Sequence, residues 1–75
     1  GAWTIQVVTY HKKEHAEAMM NRLNANGIEA HLIPSGEYLQ VCAGFYESHD
    51  RAAEKVNFVR NISACPDAYV RKVNR

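Results

Sequence analysis

Seventy-five residues, 8.5 kDa in all, form one domain and bury only roughly 60% of the surface exposed by the unfolded chain. An apolar fraction of 47% and a charged fraction of 23% suit an ordinary globular domain, and no stretch is long and apolar enough to span a membrane. Nine Lys and Arg against eight Asp and Glu leave a net charge of +1, which argues against a partner gripped mainly through phosphates.

Trp3 to Tyr10 (WTIQVVTY) is β-branched and aromatic without Gly or Pro, and predicts a first strand. His11 to Asn26 follows with Ala16, Met19, Met20 and Leu23 at helical spacing, and Asn26-Gly27 supplies the stop. Ile28 to Ile33 alternates apolar and polar residues, and predicts a second strand before the turn cluster Pro34-Ser35-Gly36. Glu37 to Ala43 predicts a third strand closed by Gly44. Ser48, a good N-cap, opens a second helix to about Asn61, with Ala52, Val56 and Val59 on one face. Cys65-Pro66 breaks it, and Asp67 to Val73 predicts a fourth strand.

The halves of this βαββαβ order repeat. A shift of 36 residues lays Ile5 on Val41, Val7 on Ala43, Tyr10 on Tyr46, Ala16 on Ala52, Met20 on Val56 and Leu23 on Val59. Tyr10 and Tyr46 then occupy equivalent strand–helix corners, which suits a structural role. Two split βαβ units with right-handed crossovers predict an α+β, ferredoxin-like or RNP-like fold: a four-stranded antiparallel sheet of order 4-1-3-2 with both helices on one face. The other face is left open.

Alternation sorts the side chains. Trp3, Ile5, Val7, Ile28, Ala30, Leu32, Leu39, Val41, Ala43, Ala68 and Val70 are expected toward the helices. The open face is expected to carry Thr4, Gln6, Val8, Glu29, His31, Ile33, Tyr38, Gln40, Cys42, Tyr69 and Arg71. Of these only Glu29 and Arg71 are charged. A face of amides and phenols suits a polar, weakly charged ligand such as a sugar, whose hydroxyl and N-acetyl groups need donors and acceptors. The alternative is an inert surface.

These residues resemble the SPOR (sporulation-related repeat) family of bacterial domains. Trp3 to Tyr10 is similar to its opening strand, aromatic-x-hydrophobic-Gln-hydrophobic-Gly-Ser-Phe. Ala16-Glu17-Ala18 with Leu23, Asn26-Gly27-Ile28-Glu29-Ala30, Tyr38 through Gly44 with Tyr46 and Ala52, and Pro66-Asp67-Ala68-Tyr69-Val70 resemble its later motifs in order. The resemblance covers about residues 3–73 of a single domain, 1–75. With Gly1-Ala2-Trp3 at the start in place of a Met, the expectation is a domain excised from a larger envelope protein.

The resemblance implies a non-catalytic module without cofactor or metal. Its partner would be peptidoglycan glycan strands stripped of their stem peptides by amidases, as at the division septum, with no nucleic acid and no direct membrane contact by the domain. It implies a place in the periplasm or cell wall, where the module targets its parent. The strand-1 Gln of the family falls on Gln6, the neighbouring Ser on Thr9 and the strand-4 aromatic on Tyr69. The candidate glycan-binding set is Gln6, Val8, Thr9, His31, Gln40, Tyr69 and Arg71. Tyr69 and Tyr38 are candidates for stacking on sugar rings, with cross-strand packing as the alternative. His31, Gln40 and Arg71 are candidates for hydrogen bonds to sugar oxygens, with solvated surface roles as theirs. Three departures from the family pattern stand out: Val8 replaces a Gly and is expected to narrow the groove beside Gln6, Phe45 replaces a Pro, and Cys42 replaces a polar or basic residue.

Other readings are weaker. No Ser–His–acid pattern, phosphate loop or metal constellation is present, and the paired carboxylates of a glycosidase are missing. His11 and His15 stand at i, i+4 without a third ligand at metal-site spacing. RNA-recognition domains share the element order, but EYLQVCA lacks their basic lead and aromatic pair. The remaining alternative is a protein-interaction module that forms a weak homodimer through the open face. Cys42 and Cys65 would stand two strand spacings apart, about 9.5 Å, too far for a ready disulfide.

Overall fold

The computed structural model describes residues 2–73; Gly1, Asn74 and Arg75, the ends of the predicted domain, lie outside them. The elements are β1 (Trp3–Tyr10), α1 (Lys13–Ala25), β2 (Ala30–Ser35), β3 (Tyr38–Tyr46), α2 (His49–Ser63) and β4 (Tyr69–Lys72). The strands form one antiparallel sheet in the order β2-β3-β1-β4, the predicted topology. Ser48 caps α2 through its side chain, accepting from the backbone N–H of Arg51 at 3.1 Å. Ala64, in the left-handed region at φ 56, ends it.

Both helices pack on one face of the sheet. Ile5, Leu23, Val41, Ala43, Ala16, Ala52, Val59 and Ala68 are fully buried in one cluster. The repeat explains this symmetry: Ala16 and Ala52 let each helix approach the sheet, and Leu23 and Val59 fill equivalent places. Tyr10 and Tyr46 pack half-buried against the cluster, and burial raises both phenol pKa values above the ordinary range. The Arg60 side chain donates from Nε to the Ala68 carbonyl at 2.9 Å and ties α2 to the approach of β4.

Several predicted boundaries shift by one to three residues, and two of the shifts have a physical reason that bears on the sheet. β2 runs on through Pro34, which an edge strand tolerates because its outer side needs no ladder donor. β3 does not stop at Gly44. The strand continues to Tyr46 through a bulge, and Gly44 takes up the irregularity at φ +73. A Cβ at this position would lie 2.6 Å from the Tyr46 ring.

A second bulge lies in β1. Ile5 and Gln6 stand opposite Ala43 and Cys42, but Val8, Thr9 and Tyr10 stand opposite Val41, Gln40 and Leu39. One extra residue at Val7 therefore reverses the alternation. Directly opposed residues share a face, so Val8 joins Val41 on the helix side, where it packs against the core. This corrects the expected open-face position of Val8 and removes the expected narrowing of the groove. Thr9, not Val8, shares the open face with Gln40.

Candidate functional site

The ladder fixes the rows of the open face. One row crosses all four strands as His31, Cys42, Gln6 and Tyr69. The next toward the β2–β3 hairpin holds Ile33, Gln40 and Thr9. On the other side, Thr4 stands opposite Arg71. Gln6 is thus central, and no helix covers it.

A side-chain network joins these rows. Tyr69 Oη donates to Gln6 Oε1 at 3.1 Å. Arg71 reaches from edge strand β4 across β1, and its Nη1 donates to Gln6 Oε1 and to Gln40 Oε1, each at 2.9 Å. The guanidinium, two amides and a phenol form one connected polar surface with a single cation.

Two residues expected on the open face are fully buried in it: Thr4 and Cys42. Alternation sets the face, but neighbours decide the exposure. Thr4 donates to the Gly44 carbonyl at 2.6 Å, with the Ala43 carbonyl at 3.1 Å. Its single proton being spent, the 3.1 Å contact with His31 Nε2 requires the imidazole to donate to Thr4 Oγ1. His31 lies stacked on Phe45, with centroids 4.1 Å apart and planes 16° off parallel. Cys42, in the central row, has its thiol pushed up to about 11 by burial, against the opposing pull of the Arg71 cation. Both cysteines are free thiols.

The structure therefore gathers Gln6, Gln40, Tyr69 and Arg71 directly and places Thr9 beside Gln40. His31 shares the central row but is turned toward Thr4 and Phe45. Tyr38 stands at the hairpin end opposite Ser35, in edge contact with His11 at 5.6 Å, apart from the cluster. Phe45, marked in the sequence only as a replacement for a Pro, is the stacking partner of His31. Its clue was Gly44, since a glycine inside an apolar strand marks a bulge that re-aims the next side chain.

The face is extended rather than enclosed. A cavity of about 410 Å³ lined by Tyr10, His15, Ala18, Met19 and Arg22 lies at the β1–α1 corner, on the opposite side of the sheet from Gln6. Among the described residues no cluster of three His, Cys, Asp or Glu is placed to hold a metal ion, and no helix is long and apolar enough to cross a membrane.

The sequence model of the SPOR domain matches residues 1–72. The fold is similar to the solution structure of the peptidoglycan binding domain of the B. subtilis cell wall lytic enzyme CwlC. The TM-score is 0.82 at 20% identity, over 99% of this chain and 91% of that one. None of the curated proteins matches.

Proposed function

The chain belongs to the SPOR domain family, and on that premise we propose that it is a non-catalytic module that binds peptidoglycan through the uncovered face of its sheet. The observation that carries this reading is the position of Gln6. The amide that aligns with the strand-1 Gln of the family lies at the centre of the open face, joined to Tyr69 and Arg71.

The chemistry supports a glycan. Amides and a guanidinium supply directed donors, and the half-exposed Tyr69 ring supplies an apolar surface for sugar C–H groups. An open, elongated face receives a polymer strand without enclosing its ends. The ligand is a glycan strand lacking stem peptides: peptide branches would have to lie across the same shallow face. Binding then localises the larger parent protein where amidases have acted, in the bacterial envelope and at the septum. Gln6, Thr9, Gln40, Tyr69 and Arg71 form the contact set, with His31 at its margin.

Purified sacculi, with and without amidase treatment, test the reading. The domain should sediment with treated sacculi in excess of untreated ones. Equal retention on both would overturn the denuded-strand specificity, and retention on neither would overturn peptidoglycan binding itself.

A further inference from the structure

Gln6 Oε1 accepts from both Tyr69 Oη and Arg71 Nη1. An amide oxygen has two lone pairs, so the acceptor end of Gln6 is filled by the protein. A terminal guanidinium nitrogen carries two hydrogens, and Arg71 Nη1 spends one on Gln6 and the other on Gln40. Both glutamines are thereby held oxygen-inward toward one atom. Their NH2 groups are left as the ends that a ligand meets.

We propose that Arg71 is the positioning residue of this face: by anchoring the carbonyl ends of Gln6 and Gln40 it makes both amides donors toward the ligand, so the site selects strands by the acetamido carbonyl oxygens of their sugars. This deepens the glycan reading and rests on it. An acetamido group offers a strong acceptor to an amide NH2. Removing the acetyl group leaves an ammonium, which accepts nothing and is repelled by the Arg71 cation. Arg71 thus acts on specificity through two other side chains as well as through its own charge, from a strand that neither glutamine belongs to.

The test titrates two preparations of amidase-treated glycan strands, one N-acetylated and one chemically de-N-acetylated, against the wild-type domain, Arg71→Met and Arg71→Lys. The wild type should bind the acetylated strands at least about tenfold more tightly, the scale of one lost hydrogen bond plus like-charge repulsion. Arg71→Met should compress this preference to below about threefold, whereas Arg71→Lys, which keeps a donor cation, should retain more of it. Side-chain NH2 resonances of Gln6 and Gln40 should move toward those of free glutamine in Arg71→Met while backbone resonances of the helices stay in place. Wild-type binding that ignores acetylation would overturn this proposal and leave the glycan reading standing. A preference unchanged in both variants would remove Arg71 from the role. Failure of the wild type to bind either preparation would overturn the glycan reading and this proposal with it.

Discussion

Gln6 and Tyr69 stand directly opposite each other in the β1–β4 ladder, and the phenol hydroxyl of one donates to the amide oxygen of the other at 3.1 Å. The pair spans 63 residues of sequence and sits at the centre of the uncovered face. Its donor and acceptor roles, fixed by the protein, determine which polar atoms each residue still presents on that face.

On the proposed reading, Gln6→Ala removes a donor to the ligand, and it leaves the core untouched. A hydrogen bond to an uncharged partner contributes about 0.5–1.5 kcal/mol, so affinity for amidase-treated strands should fall up to about tenfold. The urea midpoint should stay within the scatter of surface substitutions. Isothermal titration and equilibrium unfolding read the two quantities separately, and unchanged affinity would exclude Gln6 from the contact.

Tyr69 separates hydroxyl from ring. Tyr69→Phe loses only the bond to Gln6 and should weaken glycan binding by about threefold, within the range of a single hydrogen bond. Tyr69→Ala also removes the half-exposed ring and should cost more than about tenfold if sugars stack on it. Equal losses in both variants would assign the effect to the hydroxyl alone.

Gly44 links the bulge of β3 to stability. Gly44→Ala places a Cβ 2.6 Å from the Tyr46 ring at φ +73, whereas Gly36→Ala, at φ +59, meets nothing within 4 Å. The first should lose about 1–3 kcal/mol plus the clash, and the second about 1–2 kcal/mol from backbone conformation alone. Urea unfolding of the two variants gives the comparison, and equal losses would show that Tyr46 moves aside freely.

Burial raises the Cys42 thiol from 9.0 to about 11. The unfolded chain therefore releases this proton at lower pH than the native one. The resulting contribution to stability is whole below pH 9.0 and is lost as pH rises toward about 11. The half-buried Tyr46 and Tyr10 phenols, also raised, act in the same direction. Stability measured from pH 8 to 11 should decline, about as the raised values require, and Cys42→Ala should flatten the first part of that decline. Under native conditions a small alkylating agent should label the half-buried Cys65 and spare the fully buried Cys42. Rapid native labelling of Cys42 would contradict its burial.

The duplicated pattern of apolar residues made the element order, the strand order and most of the core legible, because each half carries the same strand–helix spacing. The site was legible in part. Gln6, Tyr69 and Arg71 share the expected face because β1 and β4 pair without irregularity from Trp3 to Gln6. Past Gln6, strict alternation misplaces Val8; the adjacent apolar pair Val7-Val8 marks the extra residue, but only the register against β3 shows that both side chains turn to the helix side. The burial of Thr4, bonded to the His31 imidazole and the Gly44 carbonyl, was equally hidden, since it depends on groups from two other strands. The Arg71 bridge to Gln40 crosses a whole strand, a distance that sequence periodicity does not encode.

Mapping the ligand on the ¹⁵N-labelled domain tests the central claim most directly. Addition of amidase-treated glycan strands should shift resonances of Gln6, Thr9, Gln40, Tyr69 and Arg71 in a saturable manner, while α1 and α2 remain in place. Shifts confined to the helices or to the β1–α1 corner around Tyr10 and Arg22 would contradict it.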